Sequence, residues 1–499
     1  MRGDSETPVT RMSFLPNSLE RYLAVLLSAS SIVKCTKMTA YRKASLPLDF
    51  IVIGGSTAGL ACAYSLQVAG HNVRVLEKAD GAYTNVAGGV RSPPNMTRIL
   101  NRWGLQPYLD VVAHKSRGIS FKLTGTGETI GTSLFHDAIM RSLGADYMFI
   151  KFSDLHAALK DMALSAGAVI QYNSTVVSVD PQNASVRLEG GEVLRGDIII
   201  AADGFRSFVR PLVADCIPGK SFTANLLCES NTSIPAEKAL RNESLRRLLA
   251  NPEFSIWMGD GHTVWGHPVG GGSYAMGVVW PTALDIFSDH YKDEVSVEAI
   301  DFNVAELHSS VQELLSLVEP LRPTLYVPYK PLENLVHESG KVILVGHAAH
   351  PLPPNGTQNH AIVIEDAAVL GNLFSHLTSQ EEISALVAAF EEIRLPRSAD
   401  VVKSEIGKIE AVAIPLGPNQ AARADGVSTA LSIPLTSWDD DIQDNLRAEW
   451  EELIRMFDYD ADEVAEDWWV KWGCILQRAE AVDCSTEEAI ITVTQERSG

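Results

Sequence analysis

Apolar residues occur along this chain in short runs, most of them closed by glycine or an acid. Residues 48 to 54 ("LDFIVIG") are apolar and β-branched and end on Gly54, the pattern of a strand buried on both faces. Residues 57 to 70 ("TAGLACAYSLQVAG") carry small and apolar side chains at helical spacing and stop at Gly70. A second strand pattern, "HNVRVLEKAD" (71 to 80), completes a βαβ unit. More strand patterns follow in "AVIQYNSTVVSVD", "ASVRLEGGEVL" and "GDIIIAADG", between about 168 and 204. From about 221 to 330 the pattern is mixed and more antiparallel. "KVILVG" (341 to 346) again reads as a buried parallel strand, ahead of a helical segment through "AIVIEDAAVLGNLFSHL". The last hundred residues are rich in helix formers and acids. The predicted class is α/β: a Rossmann-like βαβ nucleotide-binding domain, a mixed-sheet second domain and a helical C-terminal region. The predicted boundaries are an N-terminal extension over 1–47, the nucleotide-binding part over 48–220 and 331–400, the mixed-sheet domain over 221–330 and the helical region over 401–499. A buried strand returning after a long insertion makes the nucleotide-binding domain discontinuous.

Composition narrows the partners. The 499 residues carry 62 acids against 41 bases, a formal charge of -21, which repels the phosphates of a nucleic acid. The six cysteines show no C-x-x-C spacing, so neither a metal site nor a disulfide framework is expected, and a reducing compartment is the default. No run of 18 apolar residues exists, and no membrane span is expected. "YLAVLLSASSIV" (22 to 33) is too short to span and has a poor basic flank. It reads as part of a mobile extension ahead of Met38, with a weak leader or anchor as the alternative, and the expected location is the cytoplasm.

The turn after the first strand resembles G-x-G-x-x-G with a serine in the middle: Gly54, Ser56 and Gly59. The glycines of such a turn make the tight bend, let the backbone approach a pyrophosphate and let helix and strand pack closely. Serine keeps the second position small, and its hydroxyl can donate to a phosphate oxygen. The pyrophosphate is expected on the helix N-terminus, where free N–H groups favour anions. Glu77, 23 residues beyond Gly54, ends the second strand, where an acid accepts hydrogen bonds from a ribose and repels a 2'-phosphate. That favours FAD or NAD over NADP as the resident nucleotide.

Two further stretches carry a family resemblance. "IIIAADGFRSFVR" (198 to 210) resembles the Asp-Gly motif of the single-component, FAD-dependent aromatic hydroxylases, with Asp203, Gly204, Ser207 and Arg210 matching. "VGHAAHPLPPNGTQNHAIVIEDAAVLG" (345 to 371) resembles that family's second FAD motif, at Gly346, Ala348, Ala349, His350, Pro351, Pro354, Gln358, Glu365 and Asp366. "AGGVRSPPNMTRILNRWGL" (87 to 105) is similar to the loop and helix after the second strand. "FDYDADEVAEDWW" is similar to a C-terminal signature of salicylate-hydroxylase-like members. The resemblance runs in order from residue 48 to about 470. Each piece has a plainer reading as well. Asp203 can be a turn cap, His350 a satisfied structural histidine, and Arg98 part of a solvated helix face.

The resemblance implies FAD as cofactor and NAD(P)H as co-substrate, visiting without a Rossmann domain of its own; "PVGGGSYAMG" (268 to 277) reads as a loop between strands. It also implies transfer of an oxygen atom from a flavin C4a-hydroperoxide to an electron-rich small molecule, aromatic or indole-like. Gly54, Ser56, Gly59, Glu77, Arg91, Asp203, Gly204, Arg210, Gly346, His347, Pro354, Gly356, Asn359 and His360 are the expected cofactor-binding residues. The helix beginning near Ala361 is expected to face the flavin and favour negative charge on it. Three departures mark a divergent branch, consistent with natural-product tailoring by hydroxylation or epoxidation. The ribityl-binding aspartate is His347, the Gly and Asn after Gln358 are Asn359 and Ala361, and Ser56 replaces a glycine. At the strand where many members carry a flavin-facing arginine, this chain offers Glu229, the expected catalytic residue. A flavoprotein acting as isomerase, cyclase or oxidase, and a flavin-free binding protein, stay open as alternatives.

Overall fold

The computed structural model describes residues 42–81, 88–214, 226–282, 303–318, 320–321, 324–326, 332–353, 356–415, 417–431 and 444–473. The expected extension lies mostly outside these residues, as does Pro354.

Five strands form a parallel sheet: β1 (Asp49–Ile53), β2 (Asn72–Leu76), β7 (Val169–Gln171), β8 (Ile198–Ala201) and β14 (Val342–Leu344), in the order β14-β8-β1-β2-β7. Helices cover both faces, which is why β1, β8 and β14 read as unbroken apolar runs. The chain moves outward from β1 through β2 to β7 and then returns to the other side of β1. The topological switch point therefore lies between β1 and β8, and a ligand is expected at their carboxyl ends.

Helix α1 (Thr57–Val68) joins β1 to β2 and packs on α4 (Ala361–Ser375). All of α4 except Asn372 is buried, so its sequence is apolar on every side apart from the paired acids Glu365 and Asp366 and the small Ser375. The two helices approach closely at Gly371, where a Cβ would stand 2.6 Å from Ser65 Cβ. Helix α5 (Ile383–Val412) and α6 (Ala461–Trp468) close the outer side of α4.

A second, seven-stranded sheet has the order β13-β9-β12-β11-β10-β4-β5 among the described residues. Its strands are β4 (Gly118–Leu123), β5 (Thr129–Leu134), β9 (Leu226–Ile234), β10 (Glu253–Met258), β11 (Thr263–Val269), β12 (Ser273–Thr282) and β13 (Thr324–Tyr326). Pairing is antiparallel except where β10 meets β4. The expected mixed sheet over 221–330 is present, and it recruits β4 and β5 from within 48–220. Residues 268–277 form the ends of β11 and β12 and the tight Gly270–Gly272 turn between them, as the sequence indicated.

The two sheets are bridged by β3 (Gly89–Ser92), which pairs with β6 (Met148–Lys151). Helix α2 (Pro94–Arg102) follows β3, and α3 (Phe152–Ala166) follows β6. At Gly89 a Cβ would stand 2.3 Å from the His267 ring, so only glycine lets β3 lie against β11. No helix among the described residues is long and apolar enough to cross a membrane.

Candidate active site

The carboxyl ends of β1 and β8 meet at glycine. Gly54 has φ of 104°, and a Cβ on it would stand 2.4 Å from the Ala202 carbonyl oxygen. A Cβ on Gly59 would stand 1.9 Å from the Gly54 carbonyl oxygen, so the third glycine is what lets α1 start against the turn. Ser56 is the helix N-cap, is exposed and makes no side-chain cap, which leaves its hydroxyl and the first-turn N–H groups available to an anion. Glu77 is buried: its Oε2 accepts from the Gly55 N–H at 2.7 Å and its Oε1 from the Ala79 N–H at 2.8 Å. A carboxylate retains acceptor capacity beyond two such bonds.

The loop after β8 is tied to the loop after β14. Arg210 is buried and donates from Nε to the Ala348 carbonyl at 2.5 Å and from Nη2 to the His347 carbonyl at 2.7 Å. Asp203 Oδ2 accepts from the N–H groups of Phe208 and Val209 at 2.9 and 3.3 Å, so the turn-cap reading describes that oxygen. Asp203 Oδ1 is buried without a partner. Gly204 takes φ of 81° and Gly346 φ of 59°, both left-handed positions at the bends of these loops. His347 has its ring 4.2 Å from that of Phe205, and its Nε2 is buried without a partner. Burial, with His360 and His350 nearby, lowers its pKa to about 3. Enclosed in this way, the imidazole stays neutral in mild acid.

Gly356, Asn359 and His360 lead into α4. A Cβ on Gly356 would stand 2.3 Å from Asn359 Oδ1 and 2.7 Å from Glu405 Oε2. Glu405 Oε2 accepts from the Thr357 N–H at 2.7 Å and fixes this loop to α5. Burial and the charge on Arg91 hold His360 at about 4, so it too is neutral near pH 7.

Arg91 points across this loop toward the second sheet. Its guanidinium carbon lies 4.5 Å from the Phe254 ring and 4.7 Å from the Trp265 ring. Nη2 donates to the Gly356 carbonyl at 3.0 Å, while Nε and Nη1 are buried without partners. Burial lowers the pKa of Arg91, and the charges of Tyr147, Glu229 and Glu405 oppose that shift. Glu229 is half-buried on β9, in register with Val279 of β12 and Thr324 of β13. The charge of Glu229 therefore acts on that of Arg91.

Beneath the loop lies a second polar group, fully paired through its charges. Asp366 Oδ1 accepts from Arg394 Nε at 2.7 Å, and its Oδ2 lies 2.7 Å from His350 Nε2 and accepts from the Gly346 N–H at 2.8 Å. Glu365 pairs with Arg397 at 2.8 Å and Arg394 at 3.0 Å, and accepts from Asn95 Nδ2 at 2.7 Å. Burial by itself would raise the Asp366 carboxyl, but His350 and Arg394 hold it below its ordinary value. His350 is therefore a satisfied structural histidine. Arg98 is not on a solvated helix face: it donates to the Leu143 and Tyr459 carbonyls and ties α2 to the C-terminal region.

The sequence reading missed Arg394 and Arg397, which stand on an ordinary-looking helix with no motif around them. It also missed His156, buried on α3 with Nε2 3.1 Å from the Gly55 carbonyl. A histidine at helical spacing carries no signal of what it faces.

A dinucleotide fits the residues at the switch point. Two glycines there admit no Cβ, the α1 N-terminus is uncapped by a side chain, and Thr57 Oγ1, Asp203 Oδ1, His347 Nε2 and Gln358 Nε2 are buried without partners. The fold and site define an α/β dinucleotide-binding protein with a second, mixed sheet. The chain belongs to the FAD-binding domain family, which matches residues 48–405. It is 28% identical over 393 residues to an FAD-dependent monooxygenase of Beauveria bassiana, covering 77% of this chain and 90% of that one. It is 25% identical over 394 residues to a 3-amino-4-hydroxybenzoate 2-monooxygenase of Streptomyces platensis, covering 78% and 94%. Among solved structures, a salicylate hydroxylase–substrate complex shares the fold with a TM-score of 0.62 at 19% identity, covering 84% of this chain and 97% of that one.

Proposed function

We propose that this chain is an FAD-dependent monooxygenase that uses NAD(P)H and O2 to hydroxylate or epoxidise an electron-rich, aromatic or indole-like small molecule. A tailoring step in secondary metabolism is the proposed setting. The observation that carries the reading is the continuity between the nucleotide cradle and the second sheet. Arg210 of the nucleotide cradle holds the His347 carbonyl, and Arg91, whose guanidinium lies against the Phe254 and Trp265 rings of the second sheet, holds the Gly356 carbonyl further along. The monooxygenase names of the two relatives support it.

Bound FAD would supply hydride acceptance from NAD(P)H and activation of O2. The protein's part is to hold and enclose it. Gly54, Ser56 and Gly59 would take the pyrophosphate, Glu77 the adenosine ribose, and Asp203, Gly204, Arg210, Gly346 and His347 the middle of the cofactor. Pro354 belongs to the same proposed set, while Gly356, Asn359, His360 and the N-terminus of α4 would border the ring and favour negative charge there. Because His360 is neutral near pH 7, Arg91 supplies the positive charge at this end. Glu229 is the proposed acid–base residue, placed to take a proton from a substrate hydroxyl beside Arg91.

The test is direct. The purified protein should be yellow, oxidise NAD(P)H in the presence of substrate, and transfer one atom of 18O2 to product. Cofactor oxidation without label in product would make it an oxidase; protein without flavin would make it a binding protein.

A further inference from the structure

Among the described residues at the ring end, Arg91 carries a charge that is both buried and incompletely paired. It stands on β3, 7% exposed, with its guanidinium against the Phe254 and Trp265 rings, which themselves meet edge to face. The two rings and the bond from Nη2 to the Gly356 carbonyl hold the guanidinium in place. Nε and Nη1 are left with no hydrogen-bond partner. A buried donor without a partner costs free energy, and a charged one costs more. The arrangement is therefore incomplete without something that accepts hydrogen bonds. One further donor nearby is also unpartnered among the described residues, Trp265 Nε1 on one of the two adjoining rings, whereas the Tyr147 hydroxyl, kept neutral by burial, shares a hydrogen bond with the Thr357 side chain. Of the carboxylates near Arg91, Glu405 is engaged by the Thr357 N–H and by Lys408 Nζ at 3.0 Å. A planar guanidinium with fixed, open N–H groups matches the oxygens of a carboxylate or a phenolate.

We infer that Arg91 is the specificity-determining residue of the substrate site, and that its Nε and Nη1 anchor a carboxylate or phenolate oxygen of the substrate. The inference rests on the proposed placement of the flavin ring along residues 356–360. Phe254 and Trp265 hold the guanidinium in place and add an apolar wall for an aromatic substrate.

The experiment uses the full chain with its FAD. Benzoate, salicylate and 4-nitrophenolate are titrated beside benzamide, salicylamide and 4-nitroanisole, their neutral counterparts, and binding is read from the flavin difference spectrum and from tryptophan fluorescence. Wild type should prefer the anions, and Arg91→Gln should bind them about 10- to 100-fold less tightly with little change for the neutral probes. Arg91→Lys keeps the charge and loses the fork, and should fall between the two. FAD content is measured first in every form. A protein without FAD overturns this inference together with the reading of the site. A flavin-loaded wild type with no preference for the anionic probes, or an Arg91→Gln that keeps that preference, overturns the anchor alone. If Arg91→Gln does not fold, the paired probes on wild type and Arg91→Lys decide the question.

Discussion

Two buried polar groups lie on either side of the loop from Gly346 to His360, and they differ in completeness. In the group around α4, Glu365 and Asp366 meet Arg394, Arg397 and His350, and both carboxylates are satisfied from within the protein. Across the loop, Arg91 keeps two nitrogens without partners among the described residues, and Trp265 Nε1 is likewise open. The first group has finished its hydrogen bonding and therefore serves the fold. The second has donors left for a bound group. Burial and charge are alike in the two; what separates structure from function is which donors remain open.

The comparison breaks most visibly on the closed side. Arg394→Met leaves Asp366 and part of Glu365 as uncompensated buried charges, and removing one partner of a buried pair costs roughly 3–5 kcal/mol. Urea unfolding of the variant should show that loss, whereas Arg91→Met should lose far less because its pairing is already incomplete. Equal losses would erase the distinction between the two groups.

The glycine turn gives the next effect. Gly54→Val must place a side chain at φ of 104° against the Ala202 carbonyl. Strain of about 1–3 kcal/mol is expected, together with loss of FAD from protein that still folds. Folded Gly54→Val with full FAD content would put the pyrophosphate elsewhere.

A third effect comes from pH. His267, His347 and His360 sit at about 3, about 3 and about 4, the first two because burial penalises their charged forms and the last through burial and Arg91. Their folded values lie below the unfolded value of about 6.5, so the unfolded chain binds more protons and stability rises with pH in this window. The FAD-free protein should lose about 1.4 kcal/mol per pH unit for each such histidine as pH falls from about 6.5 toward 4. Chemical unfolding midpoints at pH 7, 6 and 5 check this; a flat profile would mean that these rings are charged in the fold.

The smallest effect is expected at His347. Its Nε2 offers one neutral hydrogen bond, so His347→Ala should weaken FAD by about 3- to 10-fold. His347→Asp should retain FAD at least as well as wild type, because a carboxylate accepts from hydroxyls more strongly than a neutral ring. Markedly weaker binding by the aspartate form would show that the cleft has been rebuilt around the imidazole.

Much of the nucleotide end was legible because its constraints are local. Gly54 and Gly59 are needed by backbone contacts within a single turn, and the apolar runs of β1, β8 and β14 follow from burial on both faces of a parallel sheet. The recruitment of β4 and β5 into the second sheet was not legible, since a strand's own pattern does not name its neighbour. Nor was the pairing of Arg394 and Arg397 with Glu365 and Asp366, which joins two helices that the sequence presents separately.

The sequence by itself determined the βαβ unit, the serine-containing turn, the acid at Glu77 and the order of the motifs, because each depends on residues close together in the chain. The tertiary structure decided which buried charges are complete. Arg91 could equally have been a phosphate ligand or a flavin contact on its sequence alone. Only the packing of β3 against β10 and β11 set its guanidinium against Phe254 and Trp265 and left two of its nitrogens open. Desolvation and pairing depend on what surrounds a group in space, and those surroundings come from distant parts of the chain.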